Sequence, residues 1–355
     1  MPEAERDAVI ASLEIQINGT RLPPEAEADL FHLEVAEDLD TPSMFTLSLN
    51  AGDPATGEIK WADDRLFPLG AEVKIKAGFH PPLPELMVGE VTGLEPEYPA
   101  RGPLLLTVRG FDRLHRLGRG RKSRTFQQMR DSDIAGQIAG DWGLTPDVEA
   151  TAVTQEYVAQ HNQTDLEFLL LRARRIGYEV AVQGRRLVFR TPQESRARLV
   201  TLTYGEELFE FSPRLSLAAQ VSEARVQGWD PKRKEAVTGR AGSGDERSRM
   251  GGQETGAALA ERVAGPAAMV TVDDPVFSLE EAEAMARGSL NRSAFDLVTG
   301  EGTCMGNPQL RAGTVVELRG LGRKFSGLYY VVGCTHTIAA QRGYSTTFTV
   351  RRSAT

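Results

Sequence analysis

Cysteine is nearly absent: Cys304 and Cys334 are the only two in 355 residues. They form no CxxC pair and stand among no histidines at ligand spacing, which disfavours a disulfide framework or a zinc site. The reading that remains is two reduced, buried thiols in a chain made in the cytoplasm, whether or not they lie close in space. Three tryptophans are too few to demand an aromatic sugar-binding platform. His32, His80, His115, His161 and His336 are too scattered along the sequence for a metal triad, although convergence in space stays open. No run approaches the ~18 apolar residues of a membrane span, and Met1 to Ile17 lacks the apolar core of a secretory signal. Direct membrane insertion and a signal peptide are therefore not expected. With 41 Lys and Arg against 49 Asp and Glu, the net charge of −8 repels polyanions and argues against nucleic acid as a partner.

What is present is ordinary globular material, 41% hydrophobic and 25% charged, long enough for two or three cores. Leu13, Ile15 and Ile17 alternate before the turn dipeptide Asn18-Gly19. Phe45, Leu47 and Leu49, then Val73 and Ile75, then Leu104, Leu106 and Val108 repeat that period of two. Residues 1–111 thus read as an N-terminal β-barrel.

The pattern then changes. Ile134, Ile138 and Trp142 recur every fourth residue in DSDIAGQIAGDWGL, with Ser132 or Asp133 as cap and Gly143 as stop. Thr164 and Glu167 form a capping box ahead of Leu166, Leu169, Leu170, Ala173 and Ile176, and Gly177 ends the helix. His161 to Asp165 therefore read as a helix start and not as a catalytic cluster. Alternation from Tyr178 to Phe189 adds a hairpin, so residues 112–207 form an α+β helix/hairpin domain. A second β-barrel is expected from 208–235 and 300–355. Residues 236–299 read as an insertion: a flexible segment poor in apolar groups (236–256), then a helix capped by Ser278 and Glu281.

The two ends of the chain share a pattern. GAEVKIKAG (70–78) matches GTVVELRG (313–320), MVGEVTGL (87–94) matches VVGCTHTI (331–338), and LTVRG (106–110) matches FTVRR (348–352). A duplicated β module interrupted by a long insertion explains the near-constant offset.

The segment RLHRLGRGRKSRTFQQMRDSDIAGQIAGDWGL, followed by DLEFLLLRARRIGYEVAV, resembles the phage late control D family, the hub proteins of contractile tails, and the hub portion of VgrG spikes. The likeness runs from the N-terminal barrel to GLGRKFSGLYYVVGCTHTI and GYSTTFTVRR. It departs at RARR (172–175), where such proteins often carry acidic residues, and in ending at Thr355 without the oligonucleotide-binding fold and β-helical needle of a full VgrG. The resemblance implies a tail-hub-like, mainly β protein with two similar β-barrels per chain. It further implies a homotrimeric baseplate hub of a contractile injection system or phage tail, whose six barrels adapt a hexameric tail tube to a trimeric spike. The implied partners are the tail tube or a tube-initiator protein, a separate spike protein and baseplate wedge proteins; no cofactor and no catalysis are implied.

Candidate interface residues are Glu72, Lys74 and Lys76 with their counterparts Val315, Glu317 and Arg319, taken as strand edges turned toward the tube. Arg119, Arg121 and Arg124 belong to a basic run that also includes Arg113, Arg116 and Lys122, expected to meet acidic residues on a neighbouring subunit. Two other functions compete. A tail-tip peptidoglycan hydrolase would need a carboxylate pair, and Asp63-Asp64 and Asp273-Asp274 look more like turns. A carbohydrate-binding module would need more exposed aromatics.

Overall fold

The fold was obtained as a computed structural model, which describes residues 11–39, 41–53, 57–62, 65–340 and 342–355. The N-terminal part holds β1 (Ser12–Ile17), β2 (Thr20–Arg21), α1 (Pro24–Asp29), β3 (Leu30–Asp38), β4 (Met44–Asp53), β5 (Glu58–Ile59), β6 (Glu72–Gly78), β7 (Glu85–Glu97) and β8 (Leu104–Phe111). The middle holds α2 (Leu114–Leu117), β9 (Lys122–Arg130), α3 (Asp131–Asp141), β10 (Thr145–Val148), β11 (Thr154–Gln163), α4 (Asp165–Ile176), β12 (Glu179–Gln183) and β13 (Arg186–Arg190). Then follow β14 (Val200–Thr203), β15 (Leu208–Leu215), β16 (Glu223–Asp230), β17 (Glu235–Gly242), α5 (Gly256–Ala264), β18 (Ala268–Thr271), α6 (Leu279–Phe295), β19 (Val298–Met305), β20 (Val315–Arg319), α7 (Gly322–Phe325), β21 (Gly327–Ala339) and β22 (Gly343–Arg352).

Alternation places the first core. Leu33 and Val35, Phe45 to Leu49, Val73 to Ala77 and Leu104 to Val108 each bury every second side chain, because successive residues of a strand point to opposite faces. A second core gathers Cys304, Val316, Leu318, Tyr329, Val331, Phe348 and Val350 in the same way. Both lie on one continuous sheet whose main path runs β15-β19-β22-β21-β3-β4-β8-β7-β6-β1-β2. The two halves meet where β21 pairs antiparallel with β3, from Gly333 opposite Asp38 to Ala339 opposite His32.

The two halves repeat each other rung by rung. Strands β3-β4-β8-β7-β6 correspond in order to β15-β19-β22-β21-β20. Val91 faces Gly110 and Gly93 faces Arg109, with Thr92 bulged out between them. Shifted by 240 residues, Val331 faces Val350 and Gly333 faces Thr349, with Val332 bulged out. The bulge between Leu30 and His32 against β4 recurs between Leu208 and Glu210 against β19, 178 residues on. The turn before β6 recurs too: Gly70 donates to Val91 and Val91 to Ala71, as Gly313 donates to Val331 and Val331 to Thr314. Gly70 and Gly313 share φ near +80°, which only glycine adopts without strain. A bulge inserts one residue and shifts every rung beyond it, so two coincident bulges are strong evidence of one repeated module.

Between the halves, β10-β13-β12 and β11-β9 form two small sheets around α3 and α4. Helix α4 begins with the expected capping box, Thr164 Oγ1 accepting from Glu167 N and Glu167 Oε2 from Thr164 N. Its buried face carries Phe168, Leu169, Arg172 and Ala173, while Leu166, Leu170 and Ile176 are only partly buried. At α3, where Ser132 or Asp133 was expected as cap, Asp133 serves from the third helical position, its carboxylate accepting from Arg130 N.

Two boundaries differ from expectation. Val200–Thr203, assigned to the α+β domain, pairs with β20 of the second barrel. Strand β16, assigned to that barrel, instead pairs with β17 and β18 in a separate sheet covered by α6. Residues 216–222 turn instead of extending. The segment expected to lack order contains β17, and beyond it Met250 packs with Phe295, Val315 and Tyr330. Its polar groups find partners on its own chain: Arg247 N on Asn291, Gln253 N on Thr355 O. Low local hydrophobicity did not foretell this because the apolar partners lie far away in sequence.

The insertion is locked to the α+β domain where α4 ends on α6. Gly177, at φ +69°, meets Gly288, and a Cβ on Gly288 would lie 2.7 Å from Gly177 N. Gly288→Ala is expected to destabilise the protein by ~1–3 kcal/mol in urea unfolding. Gly136→Ala, where an added Cβ meets nothing within 4 Å, should stabilise by ~0.5–1 kcal/mol.

Candidate assembly surfaces

The repeat puts Glu72, Lys74 and Lys76 on β6 at the positions held by Val315, Glu317 and Arg319 on β20. These strands are not open edges, which corrects the sequence-based assignment: β6 runs between β1 and β7, and β20 between β14 and β21. Their side chains are also engaged within the chain. Lys76 Nζ lies 2.9 Å from Glu14, Lys74 Nζ 3.7 Å from Glu85, and Arg198 Nε 2.9 Å from Glu317. Val315 is buried beside Tyr330.

The basic run meets its acids within this chain, another correction. Arg116 forms a two-pronged pair with Glu90 at 2.6 and 2.7 Å, and Arg113 bridges Glu90 and Glu72. These contacts clamp α2 to the first barrel. Beyond Arg119, which stays exposed, Arg121 reaches Glu167, while Lys122 and Arg124 converge on Asp165. The Asp165 carboxylate also accepts from Gln160 and from Trp142 Nε1. Burial would raise its pKa, but these donors together hold it below the usual carboxylate value. Asp112, which accepts from Ser43 N and Leu114 N, is pushed up to about 6 by burial.

Two of the three arginines of RARR are structural. Arg172 is buried on Asp131 at 2.6 Å, and Arg175 joins Glu281 and the Pro275 carbonyl of the insertion. His161 is exposed, whereas Trp142 is half-buried over Lys122. Trp229 is 54% exposed next to the β16–β17 turn. Asp273 and Asp274 occupy a bend after β18, and Asp63 and Asp64 lie outside the described residues. Both cysteines are buried and free, on β19 and β21, and burial pushes Cys304 to about 12. Among the described residues no three metal-ligating side chains gather.

One polar cluster was not legible in sequence. At the β3·β21 junction Arg311 Nε donates to Glu37 at 2.6 Å, and Ala312 N donates to the same carboxylate. Cys334, His336, Tyr344 and Thr346 complete the cluster, with Tyr344 Oη 2.9 Å from His336 Nδ1. Glu37 and Arg311 are 274 residues apart, so no local pattern marks them. Beside the cluster an open groove of about 730 Å³ crosses β15, β19, β22, β21 and β3, lined by Thr303, Thr335, Thr347, Thr349, Glu210 and Glu301. It offers hydroxyls and carboxylates on a sheet face.

Among the described residues, two of the open runs in the large sheet lie at positions whose counterparts in the other module are paired. Beyond Val91, β7 has β8 on one side only, and β15 ends the sheet outside β19 apart from a bridge from Leu208 to Tyr204.

A mainly β chain with two register-matched modules and unpaired ends has the fold of phage tail proteins. The 43 kDa tail protein of prophage MuSo2 from Shewanella oneidensis aligns with a TM-score of 0.72 at 14% identity, over 96% of this chain and 98% of that one. A tail protein from Neisseria meningitidis MC58 gives 0.70 at 11% identity, over 96% of each. The E. coli c3393 protein, described as a type VI secretion component with structural similarity to T4 tail proteins gp27 and gp5, gives 0.63 at 16%, over 96% and 77%. A family model described as the Alg8 N-terminal domain matches residues 7–340, and the chain belongs to that family. No curated protein sequence matches it.

Arg311→Ala would leave the Glu37 carboxylate buried without its cation and is expected to cost about 3–5 kcal/mol in chemical unfolding. His336 is pushed down to about 4, chiefly by burial. Its contribution is complete above pH ~6.5 and lost as pH falls toward 4, on the order of 3 kcal/mol. Asp112, whose pKa moves the other way, titrates equally in both proteins. The difference in unfolding free energy between the wild type and His336→Gln should therefore shrink from pH 7.5 to 4.5.

Proposed function

We propose that the protein is a structural hub at the base of a contractile injection system or phage tail. Three copies place six similar β modules in a ring, matching a hexameric tail tube on one side and a trimeric spike on the other. The late control D and VgrG resemblance and the tail-protein fold support this reading. The observation that carries it is the duplication itself: one chain contains the same module twice, bulge for bulge, joined side by side in one sheet. A duplicated module lets an assembly with threefold symmetry offer six near-equivalent positions, which one module per chain in a trimer cannot. The work is geometric complementarity and needs no cofactor. Tube, spike and baseplate wedge proteins are its partners in this scheme, and the exposed Arg119 and the faces of β6 and β20 are surfaces for them.

Light scattering of the purified protein over a range of concentrations tests the reading. A species of three times the chain mass is expected. A monomer persisting at the highest concentration and in the presence of a cognate spike would contradict it.

A further inference from the structure

The internal repeat specifies which strands join one copy to the next. Within the chain, the far half of β21 in the second module pairs with β3 in the first. The strand equivalent to β21 is β7, and the strand equivalent to β3 is β15. Among the described residues neither equivalent pairs with a strand on the corresponding side. We propose that β7 beyond Val91 pairs antiparallel with β15 of a second copy, in the register that repeats β21 on β3. The proposal rests on the ring reading above and names its contact surface.

The register follows without adjustable choice. Thr335 faces Ala36 in the chain; their equivalents, 240 residues back and 178 on, are Glu95 and Arg214. The same shift sets Leu94 opposite Leu215 and Tyr98 opposite Phe211. These partners were selected by ladder position alone, yet they are chemically matched. Leu94 packs against the first core, and Phe211 and Leu215 against the second, so the apolar face of the new ladder would continue both. Tyr98 is 61% exposed and would be covered. On the opposite face an acid meets a base. Glu95 is exposed, paired only with the surface Arg109, and among the described residues Arg214 has no charged partner.

Backbone parity can also be read. Leu39 N donates to Val332 O and Ala340 N to Phe31 O, so rungs two apart, including His336 opposite Val35, carry the hydrogen bonds. The equivalent of that rung is Pro96 opposite Pro213. Both prolines therefore turn a donorless nitrogen to the outside, which protects the edges of a lone copy from unspecific pairing. In the proposed ladder they share one rung, and the bonded rungs at Leu94 and Tyr98 on either side are intact. Glu95 and Arg214 fall on a non-bonded rung, where side chains approach most closely.

The two junctions differ in chemistry as they should if they must not be exchanged. Inside the chain the core-facing rungs hold Glu37 and Cys334, satisfied by Arg311. Pairing β3 with β7 of another copy would set the Glu37 carboxylate against Leu94, away from that arginine. The mismatch selects the correct edge.

Glu95→Cys with Arg214→Cys tests the register. Under mild oxidation the double variant is expected to run largely as a covalent trimer on a non-reducing gel, and neither single variant should. Glu95→Cys with Ser212→Cys, two residues off register and beyond disulfide reach, should not cross-link. As a second test, Arg214→Glu should raise the midpoint concentration of the trimer about fivefold, and adding Glu95→Arg should restore it. A trimer by light scattering without the Glu95–Arg214 cross-link, or one indifferent to Arg214→Glu, overturns the β7·β15 pairing and leaves the ring reading standing. A lasting monomer of the wild type overturns both.

Discussion

The antiparallel pairing of β21 with β3 is the constraint on which the rest of the structure depends. It turns two separate modules into one sheet and fixes their relative position by backbone hydrogen bonds instead of by a flexible linker. The Glu37–Arg311 pair beneath it adds a penalty for slippage: a shift of the ladder would strand a buried carboxylate. With the modules held this way, the α+β domain and the insertion fill the space between their connections. Their own locks are the Arg172–Asp131 pair and the glycine contact of α4 with α6.

Charge is spent inside the chain more than the sequence suggests. The run from Arg113 to Arg124 looks like a basic surface when read linearly. In space it divides, one half anchored on Glu72 and Glu90 of the first barrel, the other on Asp165, Glu167 and Asp141 around α4. The run is thus a two-ended clamp across the domain boundary, leaving Arg119 exposed between its ends. Burial explains why such pairs matter here: Asp165 is fully enclosed and four donors compensate it, whereas the many exposed pairs contribute little each.

Much of the fold was legible because it rests on periodicity. Leu13 to Ile17, Phe45 to Leu49 and Val73 to Ile75 alternate, and Thr164 with Glu167 capped the helix as their spacing required. The duplication was visible as three short matches; the ladders keep the match of β6 with β20 but move that of β7 with β21 by four residues and that of β8 with β22 by two, an even shift that preserves which face each side chain takes. What failed was whatever depends on distant partners. The segment 236–256 is polar locally yet is organised by β16, α6 and the C-terminus. The edges assigned to β6 and β20 are covered by β1 and β14, a fact of topology that strand patterns do not carry. Among the described residues β7 beyond Val91 and β15 lack a neighbour where their counterparts β21 and β3 pair with each other, and strand patterns do not carry that either.

The central claim is that a chain containing one module twice builds a ring that is threefold by symmetry and sixfold in appearance. End-on electron-microscope class averages of the purified assembly test it most directly. Six similar lobes around a central opening, alternating in a pattern that repeats three times, are what the duplicated register requires. Averages with any other number of lobes, or six lobes with no alternation from a particle of six chains, would contradict it.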